Sequence, residues 1–374
     1  MKTHKSLQTA LNDTIQILKT GNKELAIQYL LDYCRKQPDN AEIRCEIGKF
    51  LQQNNMPFKA EIFYRDSLSI NKQQATIHFN LGVIYQNLNK VNEAINEYTA
   101  ATEIDSKYAR AYANLGYLYN ENGDKDKCRD ACLAAQELDP ENPQIKHMVA
   151  ALGIEEAPEI ADKEYIKNLY DGYANSYDSH LSVTLKSQTP QLVYDKTIEY
   201  AGNNNTHKKI LDLGCGTGIC GELFKPHADT LIGIDLSEKM IKQAQKKNIY
   251  TSLHISDIIE HLNNNEIEFD YIVSSDVLIY IGNLLELFKA AKKSLKENGL
   301  FTFSVESTLD TSDDYILGST GRYQHNHQYI SGIAEQCGFS ILSSNEAPLR
   351  QQNNKDVIGR IYALSVAEKI KPNL

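Results

Sequence analysis

The chain has 374 residues and a net charge of −10, long enough to bury more than one core, so two domains are the expectation. Residues 1–150 hold 18 Lys and Arg against 19 Asp and Glu, and the remainder 21 against 30, a balance that argues against a nucleic-acid backbone as partner. No stretch has the apolar length of a membrane-spanning helix, and MKTHKSLQTALNDTIQIL lacks a signal-type apolar core. Seven cysteines without a CxxC pair argue for reduced thiols and a cytoplasmic setting, with Cys128 and Cys132 read as small buried side chains rather than metal ligands.

The first 142 residues repeat. From Leu7, a period of 34 fits four times, over 7–40, 41–74, 75–108 and 109–142. Position eight is Thr14, Gly48, Gly82 and Gly116, and position twenty is Ala26, Ala60, Ala94 and Cys128. Position eleven carries the larger Ile17, Leu51, Tyr85 and Tyr119. Small residues at fixed phase let two antiparallel helices cross closely while larger ones fill the wedge between them. The pattern resembles the tetratricopeptide repeat. Thr14 in place of glycine marks a degenerate first unit, and Lys72 and Ser106 stand where units one and four have Pro38 and Pro140. A capping helix is expected over 143–152, completing a repeat domain at 1–152. The resemblance implies a concave groove for a protein or peptide partner, with Asn80 and Asn114 as candidate contacts. The competing reading makes those asparagines merely common at that position.

Residues 153–163, GIEEAPEIADK, read as an acidic linker. The second domain, 164–374, opens with helical spacing around Tyr165, Leu169, Tyr173 and Tyr177. Strands are expected at 208–213, 230–235, 251–255, 269–275, 299–306, 339–345 and 357–366, with helices between them. The predicted fold is therefore an all-α solenoid followed by an α/β Rossmann-like, seven-stranded sheet. In such a sheet, ligands sit at the carboxyl ends of the central strands.

The first strand runs into KKILDLGCGTG, and the second, TLIGID, ends in Asp235. Two readings compete for these glycines. Gly216, Gly218 and Gly221 satisfy GxGxxG, the dinucleotide fingerprint, but then the turn falls late and Asp212 has no duty. The other reading takes Asp212, Gly214, Gly216 and Gly218 as one unit, and this resembles the class I S-adenosylmethionine-dependent methyltransferases. The likeness extends over Asp235-Leu236-Ser237, Ser256-Asp257-Ile258, FDYIVSSDVLIYI and NGLFTFSVES. The segments GRYQHNHQYI and PLRQQNNKDVIGRIYAL resemble a bacterial subgroup of predicted methyltransferases that also carry tetratricopeptide repeats.

The resemblance implies S-adenosylmethionine as cofactor. Its implied contacts are Tyr173, Tyr177, Asp212, Gly214, Gly216, Gly218, Asp235, Leu236, Asp257, Ile258 and Ser274. Within them, Asp212 would hold the ammonium, Asp235 the ribose and Asp257 the adenine edge. Asp276 is the expected polar wall of the acceptor pocket and His325 a candidate base, against a purely structural part for that ring. No Asn-Pro-Pro-Tyr motif follows the fourth strand, which disfavours adenine or glutamine as acceptor. The expected function is methyl transfer to an unidentified small-molecule or protein acceptor. The alternative is a scaffold whose second domain senses the cofactor without turnover.

Overall fold

The structure is a computed structural model that describes residues 6–54, 56–175, 177–202, 205–308, 312–352 and 355–366. The expected domain spans 1–152 and 164–374 therefore run past the described residues at both termini. Two compact units divide between Ile145 and Lys146, inside the expected capping helix, which forms over Pro143–Ala151.

The first unit is four helix pairs: Leu7–Lys19 with Lys23–Arg35, Ala41–Gln53 with Pro57–Ile70, Ala75–Asn87 with Val91–Ile104, and Ala109–Glu121 with Lys125–Leu138. Ser6, Asn22, Asn40 and Asp124 cap their helices by accepting backbone N–H bonds. The fixed-phase glycines face the partner helix of the same pair. A Cβ at Gly48 would lie 2.5 Å from the Tyr64 ring, one at Gly82 2.6 Å from Tyr98, and one at Gly116 2.5 Å from Cys132 Sγ. Replacing Gly82 with alanine should therefore destabilise the array by about 1–3 kcal/mol through overpacking. Chemical denaturation of wild type and G82A measures this, and an unchanged midpoint would mean that Tyr98 swings clear.

Asn80 and Asn114, expected at the groove, are engaged within the unit. Asn80 Nδ2 donates to the Tyr64 hydroxyl at 3.1 Å, and Asn114 hydrogen-bonds the Tyr98 phenol. Each asparagine thus braces the aromatic ring of the preceding pair.

The second unit is built on nine strands: β1 Lys208–Leu213, β2 Ala228–Asp235, β3 Ser252–Ile255, β4 Phe269–Ser274, β5 Leu295–Ser307, β6 Tyr315–Leu317, β7 Tyr323–His325, β8 Phe339–Gln352 and β9 Lys355–Val366. The order is β3-β2-β1-β4-β5, all parallel, with β9 antiparallel to β5 and β8 antiparallel to β9. Seven of these correspond to the expected strands. The other two, β6 and β7, form a hairpin in the polar stretch after β5, with β7 pairing the end of β5 through Glu306↔Gln324 and Ser307↔His325. They are three residues each, YIL and YQH, so no alternation was long enough to announce them.

Central strands β1 and β4 are buried on both faces, as Ile210, Leu211, Leu213, Tyr271, Ile272 and Val273 show, which is why they read as continuous apolar runs. The expected linker is docked along its last residues. Ala161 N–H donates to Tyr280 O at 2.9 Å, and Gly282 N–H to Glu159 O at 2.8 Å. Its backbone groups find partners beside the sheet's active edge, so 159–161 behaves as part of the second unit. No helix among the described residues is long and apolar enough to cross a membrane.

Candidate cofactor and acceptor site

The parallel register of β1 and β2 sets Leu213 beside Ile234, so the glycine loop and Asp235 emerge side by side. Gly214, Gly216 and Gly218 all have positive φ, at 67°, 53° and 92°, a region that glycine enters without Cβ penalty. Gly216 N–H donates to Asp235 Oδ2 at 2.9 Å, and Ser237 N–H donates to Oδ1 at 2.8 Å. The carboxylate is thereby fixed with a free lone pair on each oxygen.

At the end of β3, Asp257 caps the helix Ile258–Asn264, its Oδ1 accepting from Ile259 and Glu260 N–H at 3.1 and 2.9 Å. Its Oδ2 pairs with Lys163 Nζ, 3.5 Å away. Gly214, Gly216, Asp235, Leu236, Asp257 and Ile258 line one cavity, which continues past Tyr170, Tyr177 and Tyr280 to Ser275 and Asp276.

Asp276 follows β4 with φ of +58°, an unfavourable conformation for a non-glycine residue that the surroundings hold in place. Its N–H donates to Ser304 Oγ at 2.9 Å. Its carboxylate takes Arg350 Nη1 at 3.3 Å on one oxygen and Ser187 Oγ at 3.5 Å on the other. Arg350, only 2% exposed, also pairs with the buried Glu306. A fixed carboxylate facing a cavity is equipped to orient a hydroxyl or amine and to accept its proton.

A methyltransferase-domain family model matches residues 185–343, and two tetratricopeptide-repeat models match 87–123 and 109–142. Residues 185–343 thus match a methyltransferase domain, preceded by tetratricopeptide repeats. A ubiquinone biosynthesis O-methyltransferase of Pasteurella multocida is 30% identical over 136 residues, 33% of this chain and 56% of that protein. The biotin biosynthesis bifunctional protein BioHC of Teredinibacter turnerae is 26% identical over 241 residues, 55% of this chain and 40% of that one. The chain thus spans less than two thirds of the length of either relative. Among solved structures, magnesium protoporphyrin IX methyltransferase of Synechocystis with bound S-adenosylhomocysteine is similar at 17% identity and a TM-score of 0.44, covering 55% of this chain and 100% of that one.

In the methyltransferase domain, several residues expected at the cofactor lie one layer behind the cavity wall. Asp212 is 1% exposed and accepts from the Tyr250 hydroxyl at 2.6 Å. Gly218 and Gly221 make room for that ring, since a Cβ at Gly221 would lie 2.2 Å from Tyr250 Oη. Tyr250 thus braces the loop from beneath, and the spacing of Gly218 and Gly221 was its only trace in the sequence. Ser274 is fully buried, its Oγ donating to Leu213 O at 3.3 Å. Tyr177 lines the cavity, whereas the Tyr173 phenol pairs with His180 beside it.

His325 is the clear correction. It is 2% exposed, its Nε2 bonds Ile281 O at 2.8 Å, and its ring stacks on Tyr329. Burial pushes its pKa down to about 4. A ring walled into β7 and absent from the cavity lining holds the hairpin to the loop after β4. It has no path to an acceptor proton.

The segment over the cavity is latched by carboxylates that the sequence did not single out. Asp171, on the helix Lys163–Tyr173, accepts from Ser237 Oγ at 2.6 Å. Asp178 accepts from Thr217 Oγ1 at 2.5 Å. Both latches end on the turns that follow β1 and β2.

Burial raises Asp212 to about 7, against the Tyr250 hydrogen bond, and Asp235 to about 6, against the N–H donors of Ser237 and Gly216. Both pKa values lie above the unfolded ones, so the protonated acids stabilise the ligand-free domain at low pH. That stability is lost as pH rises through about 6 and 7. A cationic ligand favours the ionised carboxylates, so the affinity for S-adenosylmethionine should rise with pH, by about tenfold between roughly pH 5.5 and 7.5. Titration calorimetry across that range checks the sign, and a flat profile would place the carboxylates out of the ligand's reach.

Proposed function

We propose that this chain is a cytoplasmic enzyme that transfers a methyl group from S-adenosylmethionine to an acceptor, with the repeats engaging a protein partner. The observation that carries this reading is the cradle in which Gly216 N–H fixes Asp235 beside an open glycine turn. The cavity then runs from the adenine-side Asp257 to Asp276. In this reading Asp235 takes the ribose hydroxyls, and Leu236 and Ile258 hold the adenine faces. Asp257 Oδ2 accepts from the exocyclic amine, while the Gly214 and Gly216 backbone admits the methionine part. The cofactor, when bound, supplies a methyl group on an electron-poor sulfonium. Asp276 orients the acceptor, and where the acceptor must lose a proton, its carboxylate receives it. Alignment supplies most of the acceleration in such an in-line displacement. Tyr170, Tyr177 and Tyr280 surround the transfer end and exclude water, their ring faces suited to a cation.

A relative named for ubiquinone biosynthesis and another named for biotin biosynthesis support a small-molecule acceptor over a nucleic acid. The test uses cofactor carrying a labelled methyl, incubated with whole lysate and the full chain, then fractionated into protein and small molecules. Label entering either fraction, and lost in D276A, supports the enzyme. Tight cofactor binding with no transfer to any fraction would favour a sensing scaffold instead.

A further inference from the structure

The carboxylate at the acceptor end of the cavity is held from behind by a buried pair of charges. The side chains of Arg350 and Glu306 are 2% and 4% exposed, and Arg350 Nη2 bonds Glu306 Oε1 closely. The other arm of the guanidinium, Nη1, donates to Asp276 Oδ1 at 3.3 Å. Asp276 lines the cavity, and Arg350 and Glu306 stand behind it. Glu306 alone balances the charge of Arg350, so neutralisation does not call for a second carboxylate. A second one is nevertheless brought in, on a residue whose φ of +58° costs free energy to hold.

The backbone around Arg350 is shaped to deliver it there. The β8–β9 ladder passes from Pro348↔Ile358 to Arg350↔Val357, a bulge of the kind that re-aims a side chain. Leu349 and Arg350 are both buried, although a regular strand sends neighbours to opposite faces. Gly359 makes room for the bulge, since a Cβ there would lie 2.4 Å from Leu349 Cδ1. On either side of Arg350 the chain is tied to residues 185–188. Leu349 O accepts from Gln188 N–H at 2.9 Å, and Gln351 N–H donates to Leu185 O at 2.6 Å. Ser187, in the same segment, brings its Oγ to 3.5 Å from Asp276 Oδ2. Arg350 Nε is buried with no hydrogen-bond partner among the described residues. The guanidinium thus meets two carboxylates while one of its donors goes unsatisfied, an arrangement that stability alone disfavours.

Building on the methyl-transfer reading, we propose that Arg350, anchored by Glu306, is a positioning residue for Asp276. One guanidinium arm fixes Oδ1, which sets the plane of the carboxylate and leaves its remaining lone pairs for the acceptor's hydroxyl or amine. Glu306 takes the other arm and keeps the guanidinium behind the cavity wall. The pair therefore acts on the alignment of the transfer step. It does not act on the cofactor, whose cradle is built at the ends of β1, β2 and β3. A reacting group displaced by about 1 Å loses about 100-fold in rate, so a residue that touches no substrate can still govern turnover.

The test compares wild type, R350K, E306Q and E306Q/R350M as full chains. The double variant removes both buried charges together, so Glu306 is not left buried without a partner, and its thermal transition shows that it folds. Each protein receives S-adenosylmethionine with a labelled methyl and whole lysate, and the transfer rate is followed as the cofactor concentration is varied. In E306Q/R350M the maximal rate should fall about 10- to 100-fold. Its KM for S-adenosylmethionine and its calorimetric affinity for S-adenosylhomocysteine should stay within about threefold of wild type. R350K keeps the charge without the planar fork and should recover part of the rate. E306Q leaves Arg350 unanchored and should show a smaller loss of the same kind. Those two single variants decide the question if the double variant does not fold. A wild-type rate in the variants would overturn the proposal, because Asp276 would then need no positioning. So would a rate loss matched by an equal loss of S-adenosylhomocysteine affinity, which a merely structural pair would give, or an R350K no faster than the double variant. A wild type that binds S-adenosylhomocysteine yet transfers no label would instead sink the methyl-transfer reading, and the inference with it.

Discussion

Asp235→Ala should weaken S-adenosylmethionine binding by at least about 100-fold. Two hydrogen bonds from ribose hydroxyls to a carboxylate are worth about 1.5–3 kcal/mol each, and about 1.4 kcal/mol is tenfold in affinity. The substitution also frees the Gly216 and Ser237 N–H groups that Asp235 now accepts from, so the glycine turn loses its brace. Asp235→Asn separates the two effects, because the amide oxygen keeps one acceptor while the charge goes. It should fall between wild type and D235A. Calorimetry with S-adenosylmethionine, S-adenosylhomocysteine and NAD reads this directly. A change of less than threefold in D235A would remove Asp235 from the site, and tight NAD binding with no response to the other two would overturn the cofactor assignment.

Gly214→Ala should be nearly as damaging, by another route. An alanine at φ of +67° enters the left-handed region, which costs about 1–2 kcal/mol. Its Cβ would also lie 2.3 Å from Val277 Cγ2, adding about 1–3 kcal/mol of overpacking. The loop and the start of the acceptor wall would be pushed apart together, so both thermal stability and cofactor affinity should drop. Trimming the neighbour in G214A/V277A should recover the steric part and leave the backbone part, a coupling that a double-mutant cycle isolates. If the double variant binds no better than G214A, the positive φ alone carries the loss. If G214A binds as wild type, the loop is not the contact surface.

These two residues show how differently the site was written. Asp235 was legible because it ends an apolar strand at a fixed distance from a glycine turn, a local pattern with one geometric outcome. Gly214 was legible as a turn, but Val277 as the side chain it must avoid comes from a loop 63 positions later in the chain. Asp212 illustrates the limit. Its place before the glycines suggested a ligand contact, yet burial under Tyr250 makes it a brace. His325 misled for a similar reason, since a histidine in a polar stretch looks available until β7 joins the sheet and encloses it.

The repeat array was almost wholly contained in the sequence, because each helix pair contacts only its neighbours and a period of 34 residues encodes the same crossing each time. The same holds for the positions of the seven principal strands and for the glycine–Asp235 turn, where apolar runs and backbone freedom act over a few residues. What only the tertiary structure decided was the acceptor end. Ser187, Asp276, Glu306 and Arg350 come from separate segments, and no periodicity links them. Long-range packing alone brought Arg350 between the two carboxylates and satisfied both.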